Sequence, residues 1–205
     1  SDRYSYGDEA IYGSKSFILE LDFLNTNKTE AIKDLKITIS SDSGSTTSAG
    51  GVFTPVSSSN TFFIDYLDPG QSVTKTIELF VKSDVAPSSY GVNVNFTYKN
   101  SSGEAANSSE VISIPVQQEV RFNIGEVPYI YDVPVGSEAY TNISFGNLGK
   151  SVIYNVIVTV EGEGFVNSEG EYYAGNLDAG KHVSKDFYIT PTMGGMVNGK
   201  FIFMY

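Results

Sequence analysis

At 205 residues, with 24 acidic against 13 basic side chains and a formal net charge of -11, the chain has room for two β-sandwich domains of ~100 residues each. Such a surface repels phosphate backbones and anionic lipid, so neither nucleic acid nor a membrane is expected as a partner. With no cysteine, no tryptophan and one histidine, the sequence excludes disulfides, zinc–thiolate centres and a thiol nucleophile, and no cofactor is expected.

The chain opens on polar SDRYSYGDE, without Met and without the basic and apolar regions of a secretory signal, so it reads as an excised piece, with any signal or anchor outside it. In SFILELDFL, Phe17, Leu19, Leu21 and Phe23 alternate with Glu20 and Asp22, the pattern of a half-buried strand. Asn25-Thr26-Asn27 follows as a turn, with the Asn25 side chain placed to cap it and Asn27 expected in the left-handed region. An Ile-centred strand around Ile32 to Ile39 leads into Ser-rich residues 40–51, which read as a mobile loop. After Phe53 and Pro55 comes Leu67-Asp68-Pro69-Gly70, a tight turn whose glycine supplies positive φ. The strand SVTKTIELFVK presents Val73, Ile77, Leu79 and Val81 on one face, an alternation that Lys75 and Phe80 break. The strand YGVNVNFTY puts Tyr90, Val92, Val94, Phe96 and Tyr98 inward, and VISIPV closes this half.

The second half repeats the first. FGNLGKSVIYNVIVTV aligns with FLNTNKTEAIKDLKITI across a one-residue gap, matching Phe145 to Phe23, Asn147 to Asn25 and Ile153 to Ile32. Asn147-Leu148-Gly149 replaces Asn25-Thr26-Asn27, with Gly149 likewise expected in the left-handed region, and NLDAGKHVSKDF, with Gly180, replaces YLDPGQSVTKTI. The short Glu161 to Gly164 stands where the first half has its Ser-rich loop, and Tyr205 answers Tyr98. Internal duplication at this scale predicts an all-β fold of two tandem immunoglobulin-like β-sandwich domains, residues 1–118 and 119–205. The second has no counterpart of VISIPV and so lacks its last strand, leaving Phe201 to Tyr205 at an unpaired edge open to edge-to-edge self-association.

The strand ending in N-x-(N/G), the Ile-centred strand, the Phe after the next loop (Phe53 or Phe165) and L-D-x-G opening a long strand resemble the bacterial CARDB-like and NEW3-like immunoglobulin-type repeats. Pro55, answered by Asn167 in the second half, departs from the shared pattern. The resemblance spans almost the whole chain and rests on turn and core positions. It implies a surface spacer or adhesive module related to S-layer and cell-adhesion proteins, at the bacterial cell surface or outside the cell, with a cell-surface protein or polysaccharide as partner. It carries no catalytic residues.

The residues themselves nominate no catalytic or metal site. His182 lacks a second histidine; Glu161, Glu163, Glu169 and Glu171 lack the spacing of a calcium loop and read as a solvated acidic surface. The structural positions are Asn25, Asn27, Gly70, Asn147, Gly149 and Gly180. The ligand candidates are aromatic: Tyr172 with Tyr173, and Tyr129 with Tyr131, as stacking surfaces for a sugar. Two readings from other classes stand beside the spacer: a carbohydrate-binding accessory module of a larger glycoside hydrolase, and a calcium-dependent adhesin.

Overall fold

Alternating apolar and β-branched residues should give strands throughout, and they do. This computed structural model describes residues 3–41 and 51–205, and among them strands form and no helix does. Of the Ser-rich loop, residues 42–50 lie outside the described residues. The chain divides into two compact units, Ser1–Gln117 and Gln118–Tyr205.

The first unit runs β1 (Arg3–Ser5), β2 (Ile11–Tyr12), β3 (Ser16–Leu24), β4 (Ile32–Ser41), β5 (Phe53–Pro55), β6 (Thr61–Leu67), β7 (Ser72–Val81), β8 (Ser88–Lys99) and β9 (Ala105–Gln117). These form two sheets, β1-β3-β7-β5 and β2-β9-β8-β4-β6. Between them lies one core, to which Leu19, Leu21, Phe23, Ile77 and Leu79 come from the first sheet and Ile37, Ile39, Val92, Val94 and Ile114 from the second. Phe80, which breaks the alternation of β7, is exposed on the opposite face.

The second unit runs β10 (Phe122–Ile124), β11 (Ala139–Asn147), β12 (Ile153–Gly162), β13 (Phe165–Asn167), β14 (Tyr172–Leu177), β15 (His182–Pro191) and β16 (Gly199–Met204), in sheets β10-β11-β15-β13 and β14-β12-β16. Its register repeats that of the first: Phe145 faces Val183 as Phe23 faces Val73, and Ile153 faces Leu177 as Ile32 faces Leu67. The edge-to-face pair Phe23–Phe96, 5.7 Å between centroids, returns as Phe145–Phe203 at 5.3 Å. The cross-strand pair Leu19–Ile77 becomes Thr141–Phe187, smaller on one strand and larger on the other.

Two features of the sheets leave no obvious trace in the hydrophobic pattern. In β4 the register shifts between Lys33 and Lys36, at Asp34 with φ of 50°. In β12 it shifts beside the aligned Asn155, with φ of 54°. Both are bulges held by residues that tolerate left-handed backbone. The last strand of the second unit, β16, pairs only with β12 among the described residues, whereas its counterpart β8 lies between β4 and β9.

The buried asparagine lock and the candidate sites

The two recurring turns meet. Asn25 directly follows β3 and is 1% exposed, and its Nδ2 donates to the carbonyl oxygens of Glu30 at 2.9 Å and of Leu67 and Asp68 at 3.1 Å each. Its Oδ1 accepts from the Asn27 backbone N–H at 3.1 Å, which caps its own turn. The backbone continues the connection: Asn25 N–H donates to Gln71 O, and Gly70 N–H donates to Asn25 O, both at 2.9 Å. One carboxamide therefore fastens the turn after β3 to the Leu-Asp-Pro-Gly turn before β7.

Asn147 repeats the arrangement with its side chain fully buried. Its Nδ2 donates to Ser151 O at 2.7 Å and Leu177 O at 2.9 Å, and its Oδ1 accepts from Gly149 N–H at 2.8 Å. Gly180 N–H donates to Asn147 O at 2.9 Å. A buried amide in such a place must satisfy itself and its neighbours, and here it does both. Its N–H groups are committed to backbone carbonyls, so its chemistry is structural.

Gly70 (φ 71°) and Gly180 (φ 77°) occupy the third position of tight turns closed by Gln71 N–H to Asp68 O at 3.1 Å and Lys181 N–H to Asp178 O at 3.0 Å. Positive φ is the reason for glycine there. Asn27 and Gly149 differ from expectation, since neither carries a positive φ. Close packing replaces conformation as the reason: a Cβ on Gly149 would sit 3.1 Å from both Asn147 Oδ1 and Glu119 O. Where the first unit has room for a side chain, Asn27 uses it, its Oδ1 accepting from the N–H groups of Thr29 at 2.9 Å and Glu30 at 3.1 Å.

The other candidates are dispersed. Tyr172 and Tyr173 are neighbours on β14, so they point to opposite faces. Tyr172 packs against the core and carries Lys185 Nζ 5.5 Å above its ring, while exposed Tyr173 donates its hydroxyl to Asn155 Oδ1 at 3.1 Å, beside the bulge. Tyr129 and Tyr131 are both strongly exposed, with ring centroids 6.2 Å apart. Exposed His182 pairs across the sheet with Gly146, and a Cβ on that glycine would come within 2.3 Å of His182 Nδ1. The first unit places Leu24 opposite Ser72 at the same point, again a large side chain against a small one.

Of the acidic residues, Glu169 takes Lys185 at 2.8 Å. That hydrogen bond raises the Lys185 ammonium above its ordinary pKa. Among the described residues, no group of three or more His, Cys, Asp or Glu side chains is placed to hold a metal ion.

No family model matches the chain, and no curated protein matches it. Solved structures do. Red sea bream transglutaminase is 14% identical with a TM-score of 0.36, over 98% of this chain and 28% of that one. A Porphyromonas gingivalis W83 protein of unknown function is 13% identical with a TM-score of 0.35, over 89% and 77%. The secreted serine protease VesC of Vibrio cholerae is 12% identical with a TM-score of 0.34, over 98% and 50%. The likeness is to a generic β-rich fold, and the chain spans under a third of the transglutaminase and half of the protease.

Proposed function

We propose that this chain is a non-catalytic structural or adhesive module of a bacterial exported or cell-surface protein, two immunoglobulin-like β-sandwiches in tandem that hold a partner or a further domain away from its anchor. The observation that carries this reading is the duplicated asparagine. What the two units have in common is a buried carboxamide committed to backbone carbonyls, together with the turns it fastens. Residues kept in both copies serve rigidity. An enzyme built by duplication would be expected to keep reactive groups in at least one of them. The resemblance to CARDB-like and NEW3-like repeats points the same way. The test is to offer the purified chain ester, peptide and glycoside substrates and, separately, bacterial cell-surface preparations. The reading expects no turnover, and turnover by the purified chain overturns it.

A carbohydrate-binding role has one specific observation behind it, the exposed Tyr129–Tyr131 pair. Exposed rings at that spacing offer apolar faces to a sugar. Binding on a glycan array that disappears in Tyr129→Ser/Tyr131→Ser would favour it over the spacer.

A further inference from the structure

The duplication leaves the outer face of one sheet with two different surfaces. In the second unit Thr141, Ile143, Phe145 and Phe187 turn into the core, so the alternate residues of β11 and β15 face outward: Tyr140 opposite Tyr188, Asn142 opposite Asp186 and Ser144 opposite Ser184. In the first unit the aligned positions on β3 and β7 hold Ile18 opposite Glu78, Glu20 opposite Thr76 and Asp22 opposite Thr74. Three carboxylates there correspond to one here, and the aromatic pair has no counterpart. Strand pairing does not call for the tyrosines, because the first unit reaches the same register without them.

Both rings meet solvent, Tyr140 64% and Tyr188 37% exposed, with centroids 6.3 Å apart and planes inclined at 49°. They stand on paired strands, whereas Tyr129 and Tyr131 lie outside any strand. Two residues further along the strands, about 7 Å away, lies a fixed polar group. Asn142 Nδ2 donates to Asp186 Oδ1 at 2.6 Å, and Ser184 Oγ donates to Asn142 Oδ1 at 3.0 Å. These bonds orient three side chains and leave over the second Asp186 oxygen, one Asn142 N–H and the lone pairs of Ser184.

Aromatic rings beside mixed donors and acceptors on a rigid sheet suit a pyranose sugar, which has an apolar C–H face for the rings and a rim of hydroxyls that both donate and accept. One sugar ring on Tyr140 and Tyr188 brings the next ring of a chain over Asn142 and Asp186. Charge narrows the class. In a chain of net charge -11, the single carboxylate of this face accepts from neutral hydroxyls and repels the carboxylates of acidic sugars.

We propose that the outer face of the β11–β15 pair binds a neutral oligosaccharide, with Tyr140 and Tyr188 as the stacking surface and Asn142, Asp186 and Ser184 reading its hydroxyls. The proposal rests on the adhesive reading above, to which it adds a ligand class and a site. The first unit, with Ile18 and three carboxylates at these positions, does not bind the sugar.

The test titrates the whole chain, followed by amide NMR, with cellotetraose, mannotetraose and chitotetraose, and with tetragalacturonate as the anionic counterpart. At least one neutral probe should bind at millimolar concentration or below, with shift changes concentrated on β11 and β15 and absent from β3 and β7, and tetragalacturonate should not bind. Tyr140→Ser/Tyr188→Ser should weaken that binding by about 10-fold or more in a protein that stays folded, while Tyr129→Ser/Tyr131→Ser leaves it unchanged. Asp186→Ala, which keeps both tyrosines, should weaken it by about 10-fold, the worth of one hydrogen bond to a charged group. No binding of any neutral probe, equal binding of tetragalacturonate, shift changes elsewhere, or full affinity in Tyr140→Ser/Tyr188→Ser or Asp186→Ala would each overturn the proposal. If cell-surface preparations bind the Tyr140→Ser/Tyr188→Ser chain as well as the unaltered one, this site is overturned and the adhesive reading stands; substrate turnover by the chain overturns that reading instead.

Discussion

The carboxamide of Asn25 donates to the backbone carbonyl of Leu67, 42 residues away, and Asn147 donates to Leu177 in the same way. Each bond joins the end of one β-strand to the turn that launches another, from the interior of its unit. Replacing Asn25 or Asn147 by Ala strands buried carbonyls and a turn N–H at once, so each change should cost about 2–4 kcal/mol, read from urea denaturation. Asp in either place should cost at least as much, since it cannot donate to those carbonyls. An Asn147→Ala protein as stable as the unaltered chain would show that the lock holds nothing.

The tight turns of the two units make a natural comparison. Ala179 stands where the first unit has Pro69, ahead of glycines with nearly equal φ. The same turn carries proline at this position in the first unit, so Ala179→Pro should stabilise the second unit by about 0.4–1 kcal/mol. Gly149→Ala should destabilise despite its ordinary φ, because the added methyl meets backbone atoms. Thermal melts of the two variants should move in opposite directions.

At the bulges the backbone is left-handed in both copies. Asn155→Gly should therefore leave stability within about 1 kcal/mol, whereas Asn155→Val should cost about 1–3 kcal/mol, because a β-branched residue resists positive φ. Asp34→Val should behave alike, with the added loss of its 2.7 Å ion pair to Lys99.

Two lysines carry raised pKa values: Lys99, chiefly through its hydrogen bond to Asp34, and Lys185, chiefly through its hydrogen bond to Glu169. A raised lysine adds stability that is present below the ordinary value of 10.5 and lost as pH climbs through the folded-state value. The loss should fall in the alkaline range and be small, because both ammonium groups meet solvent. In Glu169→Gln, the titration of Lys185 followed by NMR should fall back toward the ordinary value.

Much of this was legible in the sequence and some was not, for physical reasons. Alternation in β3 and β8 announced the inward residues because a pleated strand exposes every second side chain. The Leu-Asp-x-Gly turn announced its positive φ because only that geometry favours glycine so strongly. The sequence could not show that Asn25 reaches Leu67, since a motif states local geometry and not which distant carbonyl it will meet. The turn motif marks Gly149 as a conformational requirement, yet what holds it is close packing against Asn147 Oδ1 and backbone atoms of residues 119 and 121, whose approach is a tertiary fact. The aligned Asp34 and Asn155 did carry a signal, two residues tolerant of left-handed backbone at one repeat position. Tyr172 and Tyr173 look like a pair in sequence, yet a strand separates adjacent residues onto opposite faces.

The central claim, that the chain is a tandem of two separately cored structural units, is tested most directly by pulling it from both ends in single-molecule force spectroscopy. Two unfolding events are predicted, releasing about 420 Å and about 320 Å of chain before subtraction of the folded end-to-end distances, at roughly 3.6 Å per residue for the two units. Asn147→Ala should lower the force of the shorter event and leave the longer one unchanged. A single event releasing the whole length, or an Asn147→Ala effect on both, would contradict the account.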